Sequence, residues 1–270
     1  MELEVVTGHT RDMTELPDHV AENRRHWDER AHEWVASGER LWACETPQWG
    51  EWGVPDHECP MLPDDMTGMD AIELGCGTGY VSAWMHRRGA RVVGIDNSSE
   101  QLATARRIAA DHGVDDIEWI HGDAENVPKP DESFDFAVSE YGAAIWCRPE
   151  VWIREAHRLL RPGGRLTFLG NSPLTAACAP LDGADVDRTL HRPMFEIGTL
   201  DWRLVEIDPG GVEFNMTLSG WFALFREVGF QVDDYREPRP APGDDDTPFV
   251  VSRDWARDHP SEQVFFLTKR

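Results

Sequence analysis

Apolar positions between residues 67 and 170 follow two alternating rhythms. Short apolar runs, MDAIEL (69–74), RVVGID (91–96), IEWIHGD (117–123), FDFAVSE (134–140) and RLTFLG (165–170), read as buried strands. Helical spacings separate them. YVSAWMHRRG closes at Gly89. In SEQLATARRIAADHG, Leu102, Ala105, Ile108 and Ala109 share a face, Ser98 or Ser99 is the cap, and Gly113 terminates the helix. VWIREAHRLL is a further helix, broken by Arg161-Pro162-Gly163-Gly164. Strand–helix–strand alternation at this spacing predicts an α/β fold: a doubly wound, mostly parallel sheet with helices on both faces.

The flanking segments are less regular. LSGWFALFREVG (218–229) carries Trp221, Leu224, Phe225 and Val228 on one helical stripe, and FQVDDYRE (230–237) and EQVFFLTKR (262–270) read as two more strands, making seven. No helical pattern separates these two, which predicts an antiparallel edge strand. Residues 171–217 read as a cap-like insertion over the carboxyl end of the sheet, and 237–248 (EPRPAPGDDDTP) as a Pro/Asp-rich loop. Residues 1–66 are polar and rich in tryptophan: Trp27, Trp34, Trp42, Trp49 and Trp52.

Composition narrows the classes. The 270 residues are 40% hydrophobic and 28% charged, which suits one globular domain or one domain with an insertion. No apolar run approaches the ~20 residues of a membrane helix. The first twenty residues, MELEVVTGHTRDMTELPDHV, lack the apolar core of a signal peptide. Five cysteines, an odd number and scattered, suit reduced thiols, so a cytoplasmic protein is expected. Lys+Arg 26 against Asp+Glu 50 gives a net charge of −24, and Lys129 and Lys269 are the only lysines. A nucleic-acid partner needs a basic stripe that this chain lacks. Cys44, His57 and Cys59 have no fourth ligand at suitable spacing, so no metal is expected.

The chemistry concentrates at the first turn. Glu73-Leu-Gly75-Cys76-Gly77-Thr-Gly79 joins the first strand to its helix, and its alternate glycines let a ligand approach bare backbone at the helix start. Asp96 ends the second strand, where an acid accepts both hydroxyl protons of a ribose, although it also suits a helix start. Asp123-Ala124 follows the third strand, where an acceptor and a small neighbour suit an adenine edge; Asp123 equally suits a turn. The dinucleotide fingerprint needs Gly or Ala where Tyr80 stands, which disfavours a nicotinamide oxidoreductase, and no Gly-Lys-Ser/Thr phosphate loop is present. The ligand expected is a nucleoside without a pyrophosphate.

These motifs resemble those of class I S-adenosylmethionine-dependent methyltransferases, in particular the small-molecule enzymes of the ubiquinone/menaquinone-biosynthesis type. AIELGCGTG (71–79) is similar to the family's first motif and VVGIDNS (92–98) to its acidic second. GDAENVP (122–128) with SFDFAVS (133–139) match the third and fourth, and LLRPGGRL (159–166) the helix and strand after them. The resemblance implies a Rossmann-like fold with S-adenosylmethionine as cofactor and S-adenosylhomocysteine as product. It implies that Gly75, Gly77 and Gly79 line the methionine moiety and that Glu73 supports the loop or contacts the amino group. Asp96 would hold the ribose, with Asp123 and Ala124 at the adenine, and Cys76, Asn97, Gln101 and Glu125 complete the expected cofactor set. NRRHWDERAHEW (23–34) resembles the family's lid helix, with Trp27 and Trp34 where tyrosine often stands. The expected division is therefore an N-terminal helical lid over 1–66 and a cofactor-binding domain over 67–270.

Methyl transfer from a sulfonium needs alignment and exclusion of water more than acid–base chemistry. A phenol or carboxyl acceptor also needs a base, and the candidates are Glu140 and Tyr141, which face the cofactor and substrate in the resemblance, and His191 in the insertion. Trp49, Trp52, Tyr141, Trp146 and His191 are the expected substrate contacts, since aromatic walls suit a flat, partly apolar metabolite. SEYGAAIW replaces the target-base motifs of DNA-methylating enzymes. The expected activity is methyl transfer to nitrogen or oxygen of a small aromatic or heterocyclic metabolite of secondary metabolism, by a monomer or homodimer. The alternative is a non-catalytic sensor that binds the same cofactor.

Overall fold

A computed structural model describes residues 16–207, 209–243 and 250–270; residues 1–15 of the acidic N-terminal stretch and 244–248 of the Pro/Asp-rich loop lie outside them. Strands β1 (Asp70–Leu74), β2 (Arg91–Asp96), β3 (Glu118–His121), β4 (Phe134–Glu140), β5 (Leu160–Asn171), β6 (Phe230–Arg236) and β7 (Glu262–Lys269) form one sheet. Their order is β6-β7-β5-β4-β1-β2-β3. Strands β1 to β5 pair in parallel. The chain winds outward in one direction from β1 through β2 and β3, then returns to β4 on the other side. In open α/β sheets such a reversal is where ligands bind, beyond the strands' carboxyl ends.

The antiparallel strand is β7, and it runs between β5 and β6, one position in from the edge. There it gives hydrogen-bond partners to strands on both sides. A short helix, Arg253–Asp258, precedes it. At six residues it is too brief to show a period, but Ser252 Oγ caps it by accepting Trp255 N–H at 3.1 Å, and buried Trp255 donates to the Asp187 carbonyl at 2.7 Å. Strand β5 begins earlier than the apolar pattern indicates. Pairing with β4 jumps from Phe134↔Leu160 to Phe136↔Arg165, so residues 161–164 bulge out, with Gly163 at φ 78°.

Successive residues along the strands feed two cores on opposite faces, as a period of two requires. Ile72, Val93 and Phe168 face one core; Ala71, Val92 and Leu169 face the other. Phe168 centres the first. Its ring lies 5.0 Å from Trp152, 5.3 Å from Trp221 and 5.1 Å from Phe265. The second core takes in Trp42, Trp49, Trp52 and Trp84. Each of these indoles donates to an internal acceptor: Thr78 O, Asp56 Oδ1, Ser261 Oγ and Cys44 O, respectively.

Helices α1 (Asp18–Arg30) and α2 (Val35–Ala43) pack against α3 (Tyr80–Arg87) and α4 (Ser99–Asp111). Ser98 caps α4, its Oγ accepting Gln101 N–H at 3.1 Å. Within 171–217, Val212–Phe214 pairs antiparallel with Thr199–Asp201 and packs on α1 and on α5 (Gly142–Trp146). Among the described residues no helix is long and apolar enough to cross a membrane. The five cysteines are free thiols.

Phe168→Ala removes the ring on which the first core converges. It is expected to cost about 3–5 kcal/mol in urea unfolding; a loss under about 1 kcal/mol contradicts this account of the core.

Candidate active site

The turn after β1 is held open by three glycines for three different reasons. Gly75 (φ 77°) approaches α5 so closely that an added Cβ would lie 2.5 Å from Gly142 Cα. At Gly79 (φ 78°) a Cβ would lie 2.4 Å from the Trp119 ring. Gly77 (φ 50°) meets nothing within 4 Å and lines a cavity. Glu73 secures the turn to α3: its buried Oε2 accepts Ser82 N–H at 2.7 Å and Ser82 O–H at 2.5 Å. Burial pushes its carboxyl well above the ordinary range, and the Ser82 bonds oppose that.

Asp96 ends β2 at the same cavity. Its Oδ2 accepts Gly77 N–H at 2.7 Å and its Oδ1 accepts Ser98 N–H at 2.8 Å. Burial raises its carboxyl and the two N–H bonds resist the rise. Each carboxylate oxygen has two lone-pair sites, so both can accept a second proton donor. Gln101 lines the cavity too, and its buried Oε1 has no hydrogen-bond partner. Asp123 Oδ1 accepts Glu125 N–H at 2.8 Å, with Ala124 beside it on the wall.

The cavity measures about 470 Å³ and reaches from these residues to the N-terminal helices. Trp27 stands 5.8 Å from Trp34 and 5.2 Å from Trp146, centroid to centroid, and all three line it. Cys76 and Asn97 also line it; Asn97 Nδ2 donates to Val20 O and its Oδ1 accepts from Arg24 Nε, tying β2 to α1. Asn23 is a clamp that the sequence pattern did not single out. Its Oδ1 accepts Val212 N–H at 2.7 Å and its Nδ2 donates to Val212 O and Trp146 O, which joins α1 to the insertion.

Glu140 ends β4 and Tyr141 follows it on the cavity wall, and both are engaged. Tyr80 O–H donates to Glu140 Oε2 at 2.5 Å, and Glu140 Oε1 accepts Gly50 N–H at 2.7 Å. Tyr141 sits at φ 56°, a left-handed conformation costly for a side-chain-bearing residue. Its hydroxyl donates to Glu262 Oε1 at 2.5 Å.

Five expected residues lie outside the cavity lining. Gly79 packs under Trp119, and Trp49 and Trp52 are core residues with satisfied indoles. His191 lies on the insertion, with Nε2 3.0 Å from Asp187 Oδ1. Glu125 is a buried anchor: its carboxylate meets His19 Nε2 at 2.9 Å and accepts Arg148 N–H at 2.6 Å and Arg148 Nη2–H at 2.7 Å. Burial would raise its pKa, but the His19 and Arg148 bonds outweigh it and hold the group down at about 2. Conversely, Glu51 and Glu213 line the cavity and Glu262 supports it, though none was anticipated. Glu262 is a charged residue opening an apolar strand, which was the one available signal.

A family profile described as a methyltransferase domain matches residues 72–168. Residues 72–168 thus carry the sequence pattern of a methyltransferase domain. Over 131 residues, 48% of this chain and 47% of the relative, it is 32% identical to a fatty-acid O-methyltransferase of Mycolicibacterium smegmatis. Over 137 residues, 50% of this chain and 53% of the relative, it is 34% identical to a ubiquinone biosynthesis O-methyltransferase of Ruegeria pomeroyi. The matched stretch thus spans about half the length of these curated relatives. A solved S-adenosylmethionine-dependent methyltransferase of Mesorhizobium loti superposes with a TM-score of 0.60 at 25% identity, covering 78% of this chain and 94% of that one. The seven-stranded, mostly parallel sheet with flanking helices is the Rossmann-like fold of such methyltransferases.

The Glu125 anchor has a definite pH dependence. Its folded pKa lies below the ordinary value of 4.5, so its stabilisation is fully present above that value and is lost as pH falls towards about 2. Urea midpoints of the parent protein and Glu125→Gln should therefore differ most above pH 4.5 and converge on acidification. A gap that widens on acidification contradicts the assignment.

Proposed function

We propose that the protein transfers a methyl group from S-adenosylmethionine to nitrogen or oxygen of a small, flat, partly apolar metabolite and releases S-adenosylhomocysteine. In this reading 67–270 binds the cofactor, 1–66 covers it, and 171–217 caps the acceptor side. The observation that carries the reading is the conjunction of Gly77, Asp96 and Gln101 on one cavity wall: bare backbone, a desolvated carboxylate with lone pairs to spare, and an orphaned amide oxygen. A nucleoside with free ribose hydroxyls and an exocyclic amine fits that set of acceptors. The relatives' printed activities support methyl transfer, to oxygen in those described above.

When bound, the cofactor supplies a methyl group on a sulfonium for in-line displacement. The chain's residues orient and enclose. Asp96 would accept the ribose hydroxyl protons, while the Gly77 and Ser98 N–H groups favour its ionised form and fix its orientation. Asp123 and Ala124 border the adenine, and Gln101 Oε1 offers it a further acceptor. Gly75, Gly77 and Cys76 leave room for the methionine chain. Glu73 supports the loop, because both of its contacts go to Ser82. Trp27, Trp34 and Trp146 shield the reacting centre from water, and their ring faces attract positive charge.

Calorimetry with S-adenosylhomocysteine tests the reading, with NAD as control. The parent protein should bind the former in the micromolar range and not the latter. Asp96→Ala should weaken binding at least about tenfold, the loss of one or more charge-assisted hydrogen bonds. Unchanged affinity in that variant would refute the site, and preferential NAD binding would refute the reaction.

A further inference from the structure

The cavity also carries carboxylates that the proposed cofactor contacts do not use. The turn between the paired strands Gln48–Trp49 and Val54–Pro55 presents Glu51 to the cavity. Its backbone is pinned: Glu51 N–H donates to Glu262 Oε1 at 2.7 Å and Gly50 N–H to Glu140 Oε1 at 2.7 Å. Gly50 presses so closely that a Cβ there would lie 2.1 Å from Glu262 Oε1. The free end of Glu51 is another matter. Its Oε2 is shut off from solvent and has no hydrogen-bond partner, and the same holds for Oε2 of fully buried Glu262.

Glu140 and Glu213 line the same cavity, and their hydrogen-bond partners are neutral. Glu140 accepts from Tyr80 O–H and Gly50 N–H. Glu213 accepts from the Asn171 and Asn215 amides and the Trp202 indole. Neutral donors orient a carboxylate without cancelling its charge. Arg40, the arginine on the lining, is solvent-exposed; Arg192 lies off the lining and its charge reaches Glu213. Burial first, then Glu262 and Glu213, drive the Glu51 carboxyl upward, as happens when carboxylates share a site, and no cation is among the groups that shift it. Among the described residues no three acidic, histidine or cysteine side chains are disposed to hold a metal ion. Trp27, Trp34 and Trp146 border the same space, and aromatic faces with carboxylates are what an organic cation selects.

We propose that the methyl acceptor is an amine that enters as its ammonium and is held by Glu51 Oε2, which takes the nitrogen's proton. This rests on the methyltransferase reading above. The position suits it: Glu51 is bonded to Glu262, Glu262 to Tyr141, and the next residue, Gly142, touches Gly75 of the cofactor turn. The ammonium gives one proton to Glu51, and the freed nitrogen lone pair forms the new N–C bond as the C–S bond breaks, its electron pair leaving with sulfur. The methylated product carries the positive charge away, and Glu51 passes its proton to water that enters the vacated cavity.

Calorimetry on protein saturated with S-adenosylhomocysteine tests this with phenethylamine and tryptamine, each against its alcohol and its carboxylic acid counterpart. At least one amine should bind tenfold or more tightly than both counterparts. Glu51→Gln should lose at least tenfold of that affinity while binding S-adenosylhomocysteine within twofold of the parent, and Glu213→Gln should lose less. If Glu51→Gln fails to bind S-adenosylhomocysteine, the parent's ranking of amine, alcohol and acid decides alone. Equal or better binding of alcohol or acid, no binding by either amine, or an undiminished Glu51→Gln overturns the proposal and leaves the cofactor assignment standing. A parent protein that does not bind S-adenosylhomocysteine overturns the cofactor assignment and this proposal together.

Discussion

Two backbones meet at Gly75 and Gly142, and the rest of the site depends on that contact. A Cβ built on Gly142 would fall 2.2 Å from Gly75 O, so neither position tolerates a side chain without separating the strand ends. With the two turns in register, β1 delivers its glycine loop and β4 delivers Glu140 and Tyr141 to one cavity. The contact also fixes which way Tyr141 can leave the strand. It does so in a left-handed conformation, with its hydroxyl anchored on Glu262. Tight backbone packing at the switch point thus sets the distance between the Asp96 end of the cavity and its Glu140 end.

The parallel sheet, its helices and the glycine turn were legible because each rests on local signals. Period-two apolar runs, Ser98 at a cap and glycines at helix ends are imposed by neighbours a few residues away. The placement of β7 was only half legible. Its direction follows from the chain's return, but its insertion beside β5 depends on pairing with residues about a hundred positions earlier. The short helix at Arg253–Asp258 was hidden because a turn and a half has no measurable period.

Side-chain roles divided along the same line. Residues on the motif turns, such as Gly77, Asp96, Asn97 and Asp123, lie on the cavity. Tryptophans were ambiguous, since an indole that fills a core and one that walls a cavity have the same sequence appearance. Trp49 and Trp52 prove to be core, their indoles satisfied by nearby Asp56 and by Ser261 near the other end of the chain. Glu51, Glu213 and Glu262 stood among 50 acidic residues in a chain of net charge −24, where three more acids carry no distinguishing mark. Tyr80 entered the sequence argument only as an obstacle to dinucleotide packing, yet it holds one of the cavity's carboxylates.

The Asn23 clamp also bears on the order of assembly. Its partner Val212 lies 189 positions along the chain, so closing that contact restricts most of the polypeptide at once. The parallel strands β1 to β5 pair through far shorter separations and can associate first. Strand β6 then waits for β7, which lies between it and the rest of the sheet. Helix α1, made early, has no settled seat on the insertion until a segment synthesised much later is in place. The architecture therefore places the roof of the cavity among the last parts to form and, by the same contacts, among the first to open when the insertion loosens.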